Sequence, residues 1–378
     1  MSMHASKPLI VLATGGTGGH VFPAEALATE LAAREYRLAL FTDRRGGAYS
    51  GVLGDLETHR IRAGGVAGKN ILALLQSGPE LAIGLFQARG LLKRLQPSVV
   101  VGFGGYASVP TMLAGCLGNY PTAIHEQNAV LGRANRLLAP RVDRIGTCFD
   151  AVEGLPTDAA GKVTKTGMPV RPAVIDFQGA PYPELADEGN FHLLVIGGSQ
   201  GARVLSDVVP AALSALPDGI RNRLRVVQQC RPEDLKRVRA AYDKTDVQAE
   251  LASFFDDVPA RLAAAHLVIG RAGASTVAEL TTVGRPSLLI PYPYAADDHQ
   301  SRNAHAVDEA GAGWLLPEPA FTADALRSRI ESLLGMPVIL ERTAANARAL
   351  GHPEAAKSLA DMIGALIPNG ANGERKAA

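Results

Sequence analysis

A chain of 378 residues with 47% hydrophobic and 20% charged side chains holds enough apolar material for two cores of ordinary domain size, which excludes a disordered or collagen-like polymer. A formal charge of only +1 excludes a chain that coats nucleic acid by neutralising many phosphates. The balance is uneven, because residues 1–170 carry 17 Lys and Arg against 12 Asp and Glu, leaving 21 against 25 in the remainder.

Pro8-Leu-Ile-Val-Leu-Ala13 is a short apolar run that stops at glycines, the pattern of a strand buried on both faces of a parallel sheet. Gly15-Gly-Thr-Gly-Gly-His20 follows, and Ala, Leu and Glu then recur at helical spacing from Val21 to Leu31. Further apolar runs at Leu38 to Thr42, Ser98 to Gly102, Pro121 to Ile124 and Arg144 to Thr147 alternate with helical segments, which predicts a parallel α/β sheet. Between them, residues 71–95 read as a core helix that Gly78-Pro79 breaks into two pieces with an exposed corner. Six Lys or Arg stand against the single acid Glu80 across residues 60–94. An apolar patch including Leu81 and Phe86, rimmed by Lys69, Arg89, Lys93 and Arg94, therefore suits docking on an anionic leaflet.

The pattern restarts at Phe191 to Ile196, which runs into Gly197-Gly-Ser-Gln-Gly-Ala202 and a helix to Leu213. Strand-like runs follow at Leu224 to Val227, His266 to Ile269 and Ser287 to Ile290. Pro, Gly and Asp cluster between Gly167 and Asn190, which puts a hinge near residue 170, and the polar, glycine-containing end, residues 368–378, reads as a disordered tail. Cys116, Cys148 and Cys230 are odd in number and far apart, so they indicate neither a disulfide framework nor a zinc site and fit a reducing cytoplasm. No stretch approaches the ~18 consecutive apolar residues of a membrane span.

Both halves place a glycine turn between a strand and a helix, where backbone N–H groups and the helix dipole favour an anion. A structural alternative is that the glycines only permit tight packing, but the doubled occurrence weighs toward a ligand. The dinucleotide pattern G-x-G-x-x-G fails at the first turn, because Val21 stands where its third glycine belongs. Gly64-Gly-Val-Ala-Gly-Lys-Asn70 lacks the first glycine and the Mg²⁺-binding hydroxyl of a P-loop, and His125-Glu-Gln-Asn128 lacks the second histidine of a zinc motif. Arg271-Ala-Gly-Ala-Ser-Thr-Val-Ala-Glu279 follows a strand and opens a helix, so Glu279 can accept from a ribose diol or simply favour the helix start. Asp297-Asp-His-Gln300 with Asn303 suits sugar hydroxyls or a solvated helix start, and His20, at a helix entrance, is a candidate base.

With these residues in order, the chain resembles the MurG family of glycosyltransferases, which add N-acetylglucosamine to lipid-linked N-acetylmuramoyl-pentapeptide. Gly15 to His20, Gly104-Gly-Tyr-Ala-Ser108 and Gly197 to Ala202 look like that family's three glycine loops. His125 to Asn128, Arg271 to Glu279 and Gln300 to Asn303 fall in family order, so the resemblance covers residues 8–366. It implies a GT-B fold: two Rossmann-like α/β domains with parallel sheets facing a central cleft. Residues 1–170, joined by the C-terminal helix at about 350–367, would form the acceptor and membrane-facing domain, and residues 171–349 the domain that binds UDP-N-acetylglucosamine.

Carried over by position, Ser199 and Arg171 would contact the diphosphate, Phe255 would meet the uracil through its backbone, and Glu279 would hold the ribose. Ala274, Ser275, Thr276, Val277 and Ala278 would line the nucleotide, Gln300 would bind the donor sugar, and Thr17, Gly18, Gly19 and Asn128 would sit by donor and acceptor. This sequence departs from the family's pattern at His299, where some relatives have Gln, and at Phe255, where an aliphatic residue is common. The implied reaction inverts the sugar, with His20 as first candidate for the base and Glu126 as second. It needs no cofactor, and the absence of a D-x-D motif suits a diphosphate neutralised without an obligatory ion.

The implied partners are UDP-N-acetylglucosamine, the undecaprenyl-linked acceptor lipid I, the anionic inner leaflet and a cell-wall synthesis complex, with no nucleic acid. They place the protein peripherally on the cytoplasmic face of the inner membrane. The competing readings are another GT-B enzyme with a lipid or natural-product acceptor, a noncatalytic scaffold, and an NAD(P)-dependent oxidoreductase using Asp43 and Arg44-Arg45.

Overall fold

The computed structural model describes residues 7–15, 18–43, 51–64, 71–186, 189–198 and 201–368, with the backbone alone over 71–77. Thr17, Ser199, the Gly64 to Asn70 segment beyond Gly64, Arg44-Arg45 and the tail from 369 lie outside the described residues. The chain divides into two units. One comprises Met1–Gln127, Leu131–Arg171 and Glu354–Ala378, and the other Asn128–Val130 and Pro172–Pro353.

The first unit is built on strands β1 (Leu9–Ala13), β2 (Arg37–Thr42), β3 (Glu57–Arg60), β4 (Val99–Gly102), β5 (Thr122–Glu126), β6 (Arg144–Thr147) and β7 (Val163–Lys165). The second is built on β8 (Phe191–Ile196), β9 (Leu224–Gln229), β10 (Gln248–Ala252), β11 (Leu267–Gly270), β12 (Ser287–Leu289) and β13 (Trp314–Leu315). Among the described residues these form two wholly parallel sheets, ordered β3-β2-β1-β4-β5-β6-β7 and β10-β9-β8-β11-β12-β13. In each sheet the chain starts in the middle, works outward to one edge, and returns to the other side of its first strand. The order therefore reverses between β1 and β4 and again between β8 and β11, the Rossmann-like arrangement.

Alternation along the strands explains why both faces of the first sheet are covered. Leu9, Val11, Ala13, Phe41, Val100 and Ile124 belong to one core, and Ile10, Leu12, Leu40, Val99, Val101 and Ala123 to the other. Leu359, Ala360, Met362 and Ile363 of the C-terminal helix Ala355–Gly364 enter the second of these cores with Ala24, Leu27 and Leu31 of the helix Gly18–Ala33. Arg34 reinforces that pairing by binding Glu30 and Asp361. The C-terminal segment thus belongs to the fold of the first unit.

One expectation is overturned here. The helix Ile71–Leu95 passes through Gly78-Pro79 without a break. Proline removes one N–H from the helical ladder and need not end the helix when packing of the turns beyond it holds it. Here Ala88 and Leu92 are buried in the core, and helices Gly105–Leu117 and Arg203–Ser214 likewise accommodate an internal proline, Pro110 and Pro210.

Candidate active site

The carboxyl ends of β1, β4 and β5 gather the sequence-derived candidates of the first unit at its switch point. Gly15 follows β1 at a close approach, since a Cβ there would lie 2.7 Å from that of Ala107. Gly18 and Gly19 form the first turn of the next helix, whose third residue is His20, and the His20 carbonyl accepts from the Thr14 hydroxyl at 3.0 Å. After β4 the backbone turns through Gly104 (φ 84) and Gly105 (φ 69), left-handed conformations that disfavour any side chain. This turn seats the His20 imidazole: a Cβ on Gly104 would lie 3.4 Å from ring Cε1, and one on Gly105 would lie 3.3 Å from Cδ2.

Strand β5 supplies the rest. His125 is fully buried, with Nε2 3.0 Å from the Gly167 carbonyl, and burial lowers its pKa to about 4, so the ring is neutral. Glu126 is buried as well, and its Oε2 accepts from Gly132 N at 2.9 Å and Asn135 Nδ2 at 2.8 Å. Its carboxylate thereby braces the turn into the helix Arg133–Leu138. Gln127, also buried, places its amide against His20, His125 and Phe103. Neither Gln127 nor Asn135 stood out in the sequence. Asn135 carries no local motif, and Gln127 was visible only as a neighbour of His125 and Glu126. Arg171 closes this unit, its guanidinium 5.1 Å from the centre of the Phe22 ring. Burial raises the pKa of nearby Glu25, and the positive charge of Arg171 counters that shift.

In the second unit the switch point lies between β8 and β11, and two candidate segments follow those strands. Gly197 leaves β8 with its N–H donated to Gln229 Oε1 at 3.2 Å. After β11, Gly273 caps the helix Ala274–Val283, so Ala274, Ser275, Thr276, Val277 and Ala278 form its opening turns, with Glu279 buried in the second turn. The Ser275 hydroxyl is buried with no hydrogen-bond partner among the described residues. Gln300 follows β12, where its Oε1 accepts from Tyr292 N at 2.9 Å. Phe255 packs inward after β10 beneath the Arg261 guanidinium, 4.3 Å from the ring centre. Asn128 accepts at Oδ1 from Asn303 Nδ2 at 3.0 Å, and the fully buried Asn303 also donates to Ala272 O and accepts from Ala129 N. Each sheet thus carries its candidates at the position where open α/β folds bind ligands.

Residues 10–147 match the N-terminal domain of glycosyltransferase family 28, and residues 192–359 match its C-terminal domain. The chain belongs to glycosyltransferase family 28. A 60% identical relative from Paramagnetospirillum magneticum, aligned over 97% of this chain and 99% of its own length, is named UDP-N-acetylglucosamine–N-acetylmuramyl-(pentapeptide) pyrophosphoryl-undecaprenol N-acetylglucosamine transferase. A Rhodospirillum rubrum relative of the same name is 55% identical over 94% of this chain and 91% of its own. The crystal structure of Acinetobacter baumannii MurG superposes with a TM-score of 0.77 at 27% identity, covering 95% of this chain and 99% of that one. The UDP-GlcNAc 2-epimerase of Neisseria meningitidis, bound to UDP-GlcNAc, shares the fold at 14% identity, with a TM-score of 0.67 over 94% of this chain and 99% of its own. The protein is thus a GT-B glycosyltransferase of the MurG kind.

Proposed function

We propose that this glycosyltransferase moves N-acetylglucosamine from UDP-N-acetylglucosamine to the 4-hydroxyl of the N-acetylmuramoyl unit of undecaprenyl-diphospho-muramoyl-pentapeptide, converting lipid I to lipid II in peptidoglycan synthesis. The observation that carries this reading is the arrangement of His20 on the Gly104-Gly105 turn beside Gln127, in a chain related over nearly its whole length to transferases of that name. The first unit takes the acceptor and the second takes most of the donor. Ser199 and Arg171 hold the diphosphate, the Ala274 to Ala278 turns and the Phe255 backbone take the nucleoside, Glu279 holds the ribose diol and Gln300 the sugar. Thr17, Gly18, Gly19 and Asn128 border the reacting groups.

The chemistry follows from charge. The acceptor oxygen attacks C1 from the side opposite UDP, so the configuration inverts while negative charge grows on the departing diphosphate. Stabilising that charge is the work of fixed donors, namely backbone N–H groups of the glycine turns, the Arg171 guanidinium and the Ser199 hydroxyl. His20 takes the hydroxyl proton. Glu126 is less suited, because Gly132 and Asn135 already engage its carboxylate.

The enzyme works peripherally on the cytoplasmic face of the inner membrane, in contact with a cell-wall synthesis complex. Among the described residues no helix is long and apolar enough to cross a membrane. Ile83 and Phe86 are exposed at 40% and 73% on the helix Ile71–Leu95, and Leu117 is exposed at 60% on its neighbour. Arg89, whose Nη1 donates to the Leu117 carbonyl, lies at their rim and suits lipid phosphates.

The test is transfer of radiolabelled N-acetylglucosamine to lipid I by the purified protein, with His20→Ala alongside. Loss of a general base lowers kcat by about 10² to 10⁴ with donor KM little changed. No transfer by the wild type sinks the substrate assignment, and full kcat in His20→Ala sinks the base assignment.

A further inference from the structure

The Gln127 side chain lies where its amide can be oriented without ambiguity. Its Nε2 is 3.0 Å from the Phe103 carbonyl and 2.9 Å from the His125 carbonyl. Both carbonyls only accept, so the amino group faces them and the amide oxygen faces the other way. That oxygen is 3.1 Å from Nδ1 of His20. An amide oxygen has no proton to give, so Nδ1 of His20 carries the hydrogen, and in the neutral ring the lone pair belongs to Nε2. The third neighbour of the Gln127 amino group agrees. His125 Nε2 donates to the Gly167 carbonyl at 3.0 Å, which makes its Nδ1, 3.1 Å from Gln127 Nε2, the acceptor. Gln127 is 2% exposed, so water does not compete for these contacts. Backbone carbonyls of Phe103, His125 and Gly167 thus dictate, through two side chains, which nitrogen of His20 is protonated.

We propose that Gln127 is a positioning residue that holds His20 in the Nδ1–H tautomer, so that Nε2 is the nitrogen that takes the acceptor's proton. The proposal rests on the reading of His20 as the base. In the reaction the hydroxyl O–H bond breaks and the proton moves to Nε2, giving an imidazolium whose Nδ1–H still points at Gln127. The freed oxygen pair forms the new bond to C1 as the C1–diphosphate bond breaks and its electron pair leaves with UDP. The proton then passes from Nε2 to solvent and the ring returns to its starting tautomer. Free histidine in water prefers the opposite tautomer, in which Nε2 is protonated and cannot act as a base. An acceptor fixed at Nδ1 is what reverses that preference.

The experiment is nitrogen-15 NMR of full-length protein labelled at histidine, with the His20 signals assigned by their loss in His20→Ala, combined with steady-state transfer kinetics. Wild-type His20 is expected to show a protonated Nδ1 and a lone-pair Nε2. Gln127→Met, which keeps the volume and removes the acceptor, is expected to shift the ring toward the Nε2–H form. It should lower kcat about 10-fold or more while leaving donor KM within about 2-fold. On a His20→Ala background the same substitution should change kcat by less than about 2-fold, because it acts through the ring that is gone. Gln127→Asn, whose amide oxygen is withdrawn by one methylene, provides the same readouts should the Met variant not fold. An Nε2–H ring in the wild type overturns the proposal. So does an unshifted ring in both variants, or an equal loss of kcat with and without His20. A shifted tautomer with unchanged kcat overturns instead the assignment of His20 as base.

Discussion

Arg285 is fully buried, with no carboxylate partner among the described residues, and its removal is the most informative perturbation of the second unit. Its hydrogen bonds among the described residues go to backbone carbonyls. Nε donates to Leu262 and Ala263 at 3.1 and 3.2 Å, Nη1 to Val283 and Gly284 at 3.0 Å each, and Nη2 to Pro181 and Ala263 at 2.9 and 2.6 Å. The guanidinium therefore joins the last turn of helix Val258–Ala264, the last turn of the helix bearing Glu279, and the segment entering the unit, placing a cation where two helix dipoles end. The Leu262 carbonyl keeps a second donor, Ala265 N at 3.1 Å. Depriving a buried carbonyl of its donor costs about 1 to 3 kcal/mol, so the other four carbonyls contribute about 4 kcal/mol at the lower bound. Against this stands the relief of a buried charge, whose burial lowers the pKa from 12.5 to about 10 and so costs about 3 kcal/mol. Arg285→Met keeps most of the volume and is expected to destabilise by about 1 kcal/mol, whereas Arg285→Ala adds a cavity of about 2 kcal/mol more. Trp314, the single tryptophan, lies in β13 of the same unit, so its fluorescence during urea unfolding reports this unit specifically. If Arg285→Met unfolds at the wild-type midpoint, the carbonyls find water or other donors and the cross-link stabilises nothing.

Other outcomes follow from the same geometry. His125 remains neutral down to about pH 4 when folded but protonates near 6.5 when unfolded, so its contribution is complete above pH 6.5 and is lost as pH falls toward about 4, by about 3 kcal/mol in all. Urea midpoints at pH 7 and pH 5 should accordingly differ less in His125→Gln than in the wild type, and equal differences contradict the assignment. Glu279→Gln, which weakens acceptance from a ribose diol, should raise the KM for UDP-N-acetylglucosamine about tenfold with a smaller change in kcat, and an unchanged KM moves the ribose elsewhere. Ile83→Asp with Phe86→Asp should lower partitioning onto anionic vesicles at least tenfold, since each buried apolar side chain contributes about 1.5 to 3 kcal/mol. Undiminished sedimentation with vesicles assigns membrane contact to another surface.

The interior strands were legible because they are buried on both faces and read as unbroken apolar runs, as in the fully buried Leu9–Ala13 and Val99–Gly102. The strands that escaped, β3, β7, β10 and β13, are the four sheet edges. Sequences such as Glu57-Thr-His-Arg60 and Gln248-Ala-Glu-Leu-Ala252 are partly exposed there, and no apolar run marks them. The glycine turn from Gly197 to Ala202 was equally visible, since positive φ at Gly198 and Gly201 restricts composition there, whereas Gly104-Gly105 was marked only by the family resemblance.

A linear reading suffices for the paired α/β units, the loops after their central strands and the family, because burial and backbone conformation each limit which amino acids a position tolerates. Folding alone brought Gln127 to His20 across 107 residues, set Asn135 on Glu126 and enclosed Arg285 among carbonyls from three segments. Hydrogen bonds of that kind depend on direction and on a distance of about 3 Å between groups far apart in the chain. Such a relation has no periodicity and no local composition, and so it exists only once the strands are in register.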